Sequence, residues 1–342
     1  MKLLTEKHKQ YLLRRSKKLL RRRLARKNLT HIPFCTEYLT APVVLDLDEE
    51  ETLRFFEKIR QVANDKRQSI KVDFKHLKSI SPSCALVLAS EMHRFLMIRN
   101  NKTKFRVFDF DKWDHNIKIL FRDMGMFDLL KVNNIASTFL AEASLSRGTR
   151  YIPFITNNNV YGPDAVLLRQ QLTNLIRQEV PDHTKLQNGL IEAMTNVVHH
   201  AYPVDFQSKS ELKEQPWWMT ASFDSNNNRL NIIFFDHGLG IPKSLPKTNA
   251  EYVKSLLALI DNDAEMIRAA TQIGRTSTKA RHRGKGLPQI IEYGQYSEGS
   301  TVTIRSNKGV YILTKKDGHQ ADKVYNVPKA LQGSLIEWQI NL

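Results

Sequence analysis

The chain has 342 residues, enough for two domains of ordinary size, and its 41% hydrophobic and 25% charged residues read as globular rather than disordered or collagenous. No run approaches the length of a membrane span, the N-terminus lacks the apolar stretch of a secretory signal, and two cysteines, Cys35 and Cys84, make no disulfide framework, so a cytoplasmic setting is expected. The net charge is +17, and residues 1–30 hold twelve Lys or Arg against Glu6 alone, so eleven of those charges sit in one segment.

Residues 1–29 contain no Pro or Gly, and Leu4, Tyr11, Leu12, Leu19 and Leu20 fit one side of a basic helical arm. Three readings of the arm compete. It grips nucleic-acid phosphates, where counterion release supplies sequence-independent affinity. It lies on an anionic membrane, which wants a cleaner apolar face than this. Or it docks on an acidic partner protein. The first is favoured.

Residues 30–42, with Pro33 and Pro42, read as a connector. A strand–helix alternation follows: strand 43–47, helix 49–64 with an acidic first turn that suits the helix dipole, strand 70–74, helix 83–100, strand 104–108, and a helix 115–124 ended by Gly125. This alternation argues a small α/β sheet covered by helices over residues 40–132. The run Val72-Asp73-Phe74, then Leu77 to Leu86, together with Leu120 to Met126, resembles a STAS domain, the fold of anti-anti-sigma factors. In regulatory members of that family a Ser opens the helix after this strand and accepts a phosphate. Here Pro82 falls on that position and Ser83 on the next, so phospho-switching is not expected, and helix capping is favoured for Ser81 and Ser83.

Residues 133–149 read as a linker. Residues 150–342 then open on a strand 151–156 and a helix 163–179. In the stretch 186–202, apolar residues at 190, 194, 197, 198 and 201 mark one buried helix face, and Glu192 and Asn196, four apart, share another. A carboxylate could take a proton from water, and a carboxamide oxygen could hold a hard cation such as Mg2+; an exposed polar pair is the plain alternative. Strands 217–223 and 230–235 pair across Ser225-Asn226-Asn227-Asn228, and the second runs into Asp236-His237-Gly238-Leu239-Gly240. A long piece, 243–283, holds a helical run 252–270 and a Ser/Thr- and Arg-rich stretch 276–283, before Gly284-Lys285-Gly286-Leu287 opens a helix to 293. Strands 301–305, 310–314 and 335–340 close the chain, the last begun by Gly333-Ser334.

The order of these boxes resembles the GHKL superfamily, whose ATP-binding (Bergerat) α/β sandwich is shared by gyrase, the heat-shock chaperone, histidine kinases and mismatch-repair ATPases. Glu-Ala-Met-Thr-Asn followed by His-Ala-Tyr is most similar to anti-sigma-factor serine kinases. The resemblance implies ATP and Mg2+ as cofactors. It implies Glu192 as general base, Asn196 as a Mg2+ ligand, and Asp236 as acceptor for the adenine amino group. It also places Gly238 and Gly240 where backbone passes the base, Gly284, Lys285, Gly286 and Leu287 at the phosphates, and Ser334 near adenine. His199 and His200 are expected to pack or face solvent. No phospho-acceptor histidine box is present in 143–181.

The reading is therefore a Mg-dependent ATP-binding protein. It is expected to be a slow ATPase that switches protein or nucleic-acid partners, as a monomer or an oligomer. Two alternatives stand beside it: a serine kinase or anti-sigma regulator, and a nucleic-acid-binding module with structural ATP. Gyrase-like strand passage is not expected, since the sequence stops just past the last strand of the ATP site.

Overall fold

The computed structural model describes residues 35–65, 68–99, 105–141, 148–158, 162–203, 214–248, 262–276 and 286–342, with Asp205 and Leu212. The basic arm, residues 249–261 and residues 277–285 lie outside the described residues, and with them most of the expected run 252–270 and of the Ser/Thr- and Arg-rich stretch. The fold is mixed α/β, built on a five-stranded antiparallel sheet.

In the N-terminal half, β1 (Cys35–Thr40) pairs parallel with β3 (Gln68–Asp73), and β2 (Val44–Leu45) with β4 (Ser79–Ile80). Residues 35–40, expected as connector, are thus a strand. Their alternation is short and lies between prolines, and the partner that makes them a strand is 33 residues away in β3. The expected strand 104–108 does not form over its described residues 105–108.

Helix α1 (Glu50–Asn64) buries Leu53, Phe56, Ile59, Val62 and Ala63. Helix α2 (Pro82–Ile98) starts at Ser81, whose side chain accepts the Cys84 N–H at 3.1 Å, and Pro82 needs no N–H partner in the first turn. Short helices α3 (His115–Asp123), α4 (Met126–Leu129) and α5 (Ser137–Ala141) follow, with Gly125 at φ +74° between the first two. The expected linker thus carries a helical turn.

The C-terminal sheet runs β5 (Thr149–Asn157), β6 (Trp217–Asp224), β7 (Arg229–Asp236), β9 (His319–Asn341), β8 (Thr301–Lys316) in spatial order. The two strands expected at 301–314 are one, and β9 begins sixteen residues before the expected 335. Its ladder with β8 is interrupted between Asn326 and Leu331, which lets Pro328 sit in a strand that has no use for its missing N–H there.

Alternation sends Trp217, Met219, Ala221, Leu230, Ile232, Phe234, Ile336, Trp338 and Ile340 to one face of the sheet. Helices α6 (Gly162–Ile176), α7 (His183–Asn196) and, after α8 (Ile241–Thr248) and α9 (Asp263–Thr276), α10 (Gly286–Tyr293) cover that face. Trp218, Ile233, Phe235 and Leu335 point the other way, into one core with Ile59, Cys84, Leu88, Met92 and Phe95 of the N-terminal half. Helix α2 lies between α1 on one side and β6 and β7 of this sheet on the other, which is why it is apolar almost all round.

Candidate functional site

Helix α7 ends at Asn196 and passes into a π-turn, Val197–Ala201, a distortion frequent at functional sites. Glu192 and Asn196 stay on one face, and the first turn of α10 arrives opposite them. A methyl carbon built on Gly286 would lie 3.0 Å from Glu192 Oε2 and 3.4 Å from both side-chain heteroatoms of Asn196, so glycine is what lets α10 approach. Near the other end of the crossing a carbon on Gly189 would lie 3.4 Å from the Gln289 carbonyl, and Trp338 Nε1 donates to the Ile290 carbonyl at 2.7 Å. Glu192 is half-buried; burial pushes its carboxyl up, and His199 opposes that shift.

Asp236 is the last residue of β7 and faces Ser334 of β9 in the ladder. Its carboxylate is buried, and burial pushes it up to about 7 against the N–H groups of Gly238 and Ser334. The Gly238 N–H donates to Oδ1 at 2.7 Å. No basic side chain pairs with it among the described residues. The glycines around it are demanded by protein neighbours. A methyl carbon on Gly238 would sit 2.5 Å from Ala201 Cβ and 2.7 Å from Asp236 Oδ1, and Gly240 is at φ +89°. Ser306 Oγ accepts the Ile241 N–H at 2.9 Å and donates to the Gly333 carbonyl at 2.9 Å, fixing the loop exit to the sheet. Tyr202 supports the turn from below: its hydroxyl accepts the His237 N–H at 3.0 Å and donates to the Pro216 carbonyl at 2.9 Å.

These elements line a partly open cleft with a cavity volume of about 90 Å³, smaller than a typical small-molecule site. Of the residues singled out from sequence, Asn196, Asp236, Gly240, Leu287 and Ser334 line it. Gly238 stands behind the Asp236 carboxylate, and Glu192 and Gly286 meet beside Asn196. Gly284 and Lys285 lie outside the described residues. The sequence reading missed Ile241, Ser244 and Leu245, which line the cleft from α8 (Ile241–Thr248), and assigned no such role to His200, which also lines it. The i, i+3, i+4 spacing of Ile241, Ser244 and Leu245 was the available signal, obscured by Pro242 and Pro246.

The arrangement offers a largely apolar slot lined by one buried acceptor, Asp236, and by the Asn196 amide, with the Glu192 carboxylate beside the latter. Among the described residues no group of three or more His, Cys, Asp or Glu converges to hold a metal ion unaided. Asn196 could contribute one oxygen to a Mg2+ that takes its remaining ligands from phosphate and water. A second cavity, in the N-terminal half, is lined by Ile70, Val72, Phe74, Met92, Trp113 and Phe127 among others, and presents no carboxylate or amide to a ligand.

Compared with models of known protein families and with curated proteins, the chain matches none.

Proposed function

We propose that the chain binds ATP with Mg2+ in this cleft and is a slow ATPase acting as a conformational switch. In this reading the C-terminal half is a GHKL-type ATP-binding domain and the N-terminal half a STAS-like domain. The observation that carries the proposal is the buried Asp236 carboxylate, unpaired with any cation among the described residues and opening on an apolar slot. The Gly238 and Ser334 N–H groups meet part of its acceptor capacity, and the exocyclic amino group of a flat base is a donor suited to the remainder. Phe234, Ile241, Leu287 and Ile336 provide apolar surface for the base. Asn196 would hold the Mg2+, and Glu192, raised by burial, would accept the proton of an attacking water. Bound Mg-ATP supplies the transferable phosphoryl group and neutralises charge on its oxygens.

Phospho-switching at Ser83 finds no support, since its hydroxyl is buried and donates to Glu337 Oε2 at 2.7 Å across the contact between the two halves; the serine-kinase alternative, which concerns a partner's serine, stands beside the proposal. Incubation with γ-labelled ATP, scored for released phosphate and for labelled protein, tests the proposal. Phosphate release that needs Mg2+ is the expected result; neither release nor transfer with any partner leaves only an ATP-sensing module.

A further inference from the structure

Behind Asp236 the chain turns through His237, and the His237 ring points away from the cleft into the contact between the two halves. The ring is 1% exposed at the residue level, edge-on to Trp218 and Phe235 with both centroid distances 4.9 Å. Its Nδ1 stands 3.7 Å from Oε1 of Glu91, a fully buried carboxylate on α2. The same oxygen accepts Arg60 Nε of α1 at 2.8 Å. Arg60 Nη1 donates to Gln332 Oε1 at 2.9 Å, and Gln332 Nε2 approaches the His237 carbonyl at 3.4 Å. The contacts therefore close a circuit: Arg60, Glu91, His237, Gln332 and back to Arg60. Two of its members come from the N-terminal half, and the circuit clasps the residue next to Asp236.

The circuit is polar inside a core. Among the described residues Glu91 Oε2 has no hydrogen-bond partner, and the His237 ring has at most a loose contact with the Ser90 backbone, a concentration of poorly satisfied buried atoms that apolar packing alone would not retain. Burial, together with Arg60 and Arg94, holds the imidazole down at about 3 despite Glu91, so it is neutral and the 3.7 Å approach is not an ion pair. Just beyond, Gly333 at φ +97° lies so close that a methyl carbon there would fall 1.8 Å from the Asp236 carbonyl oxygen, so a shift of residues 332–333 bears directly on the turn.

We propose that Glu91 and Gln332 are positioning residues for Asp236, so that the N-terminal half sets how selectively the cleft takes adenine. The inference rests on the ATP reading of the cleft. Glu91 and Gln332 do not line the cleft. They act through the Asp236-His237-Gly238 backbone, whose tilt decides where the carboxylate meets the base. A carboxylate aimed at an amino group rejects the carbonyl that guanine presents there, and this rejection depends on direction more steeply than base stacking does.

The test is equilibrium binding of Mg-ATP and Mg-GTP to the full chain and to Glu91→Gln and Gln332→Ala, with thermal unfolding of each. The parent is expected to prefer ATP, and each variant to lower the ATP-to-GTP affinity ratio by about fivefold, the size of couplings carried through packed networks. A purely structural role would reduce the folded fraction and lower both affinities together. An unchanged ratio in the folded variants overturns the proposal while leaving the ATP reading intact. A parent that binds neither nucleotide, or both equally, overturns the adenine reading itself and this inference with it. Should Glu91→Gln fail to fold with Arg60 left unpaired, the half-buried Gln332 decides alone.

Discussion

Asp236 has opposite effects on stability and on binding, and the two can be read separately. Its carboxyl is pushed from an ordinary 3.8 to about 7 by burial, so the folded ligand-free chain holds a proton there that the unfolded chain has lost. Stability therefore falls as pH rises between those values, and the full cost is present above pH 7. Asp236→Asn removes the titration. The ligand-free variant should gain on the parent between mildly acidic and mildly alkaline buffer by a few kcal/mol at most, measured as urea midpoints at both ends. A gap that does not change with pH would mean the carboxylate is hydrated in solution. Nucleotide binding should move the other way: Asp236→Asn loses a charged acceptor and is expected to weaken ATP by about tenfold or more, with little effect on GTP. The amide–carboxylate pair separates differently. Glu192→Ala should keep Mg-ATP affinity near that of the parent and abolish phosphate release, because a proton acceptor works in the chemical step. Asn196→Ala should weaken Mg-ATP binding as well. Calorimetry beside phosphate release distinguishes the two, and full turnover in Glu192→Ala would remove it from the proton-transfer role.

The elements meet at glycines, and the two that matter most fail in different ways. Gly333 combines φ +97° with a backbone oxygen in the space of its missing Cβ, so Gly333→Ala must move β7 against β9 and should destabilise the fold by about 2 kcal/mol or more. Gly286 meets only the ends of two side chains, at 3.0 and 3.4 Å. Gly286→Ala should melt close to the parent and lose turnover, since Glu192 must swing aside; melting curves beside phosphate release check both. What made this crossing legible in the sequence was local: the α7 periodicity, and glycines at the start of a helix. The β6–β7 hairpin was equally legible, because the Asn-rich turn lies between two apolar runs and both strands pair with each other. Strand β1 and the first half of β9 were not. Cys35–Thr40 pairs with a segment 33 residues away, and His319–Asn326 is a polar run held in a strand by its ladder with β8. Helix α2 was legible as a helix with one apolar face, at residues 85, 88, 89, 92 and 95, yet nothing local said that a second face meets Trp218 and Ile233.

At the scale of the whole molecule, the two halves share one core. Trp218, Ile233, Phe235 and Leu335 pack with α2, Trp218 Nε1 donates to His93 Nδ1 at 3.2 Å, and Arg305 clasps Asp48 through two nitrogens at 2.7 and 3.1 Å. Burial holds His93 down at about 4, leaving its Nδ1 free of a proton to accept that bond. Residues 148–342 produced alone would expose this apolar face and should aggregate or bind a hydrophobic dye, whereas the full chain should not. Among the described residues no helix is long and apolar enough to cross a membrane. The remaining asymmetry is charge: eleven of seventeen net positive charges precede residue 31, and β1 begins only a few residues later. An arm so charged gains affinity for a polyanion by releasing condensed counterions, so its binding to single- or double-stranded nucleic acid should weaken steeply as salt rises. Removing residues 1–29 should flatten that salt dependence and lower the affinity, while Mg-ATP affinity in the cleft stays as it was. Filter binding across a salt series, on the parent and the truncated chain, reads both slopes. Equal nucleic-acid affinity in the two would make the arm a dock for an acidic protein, because the same charges would then have no phosphate to meet.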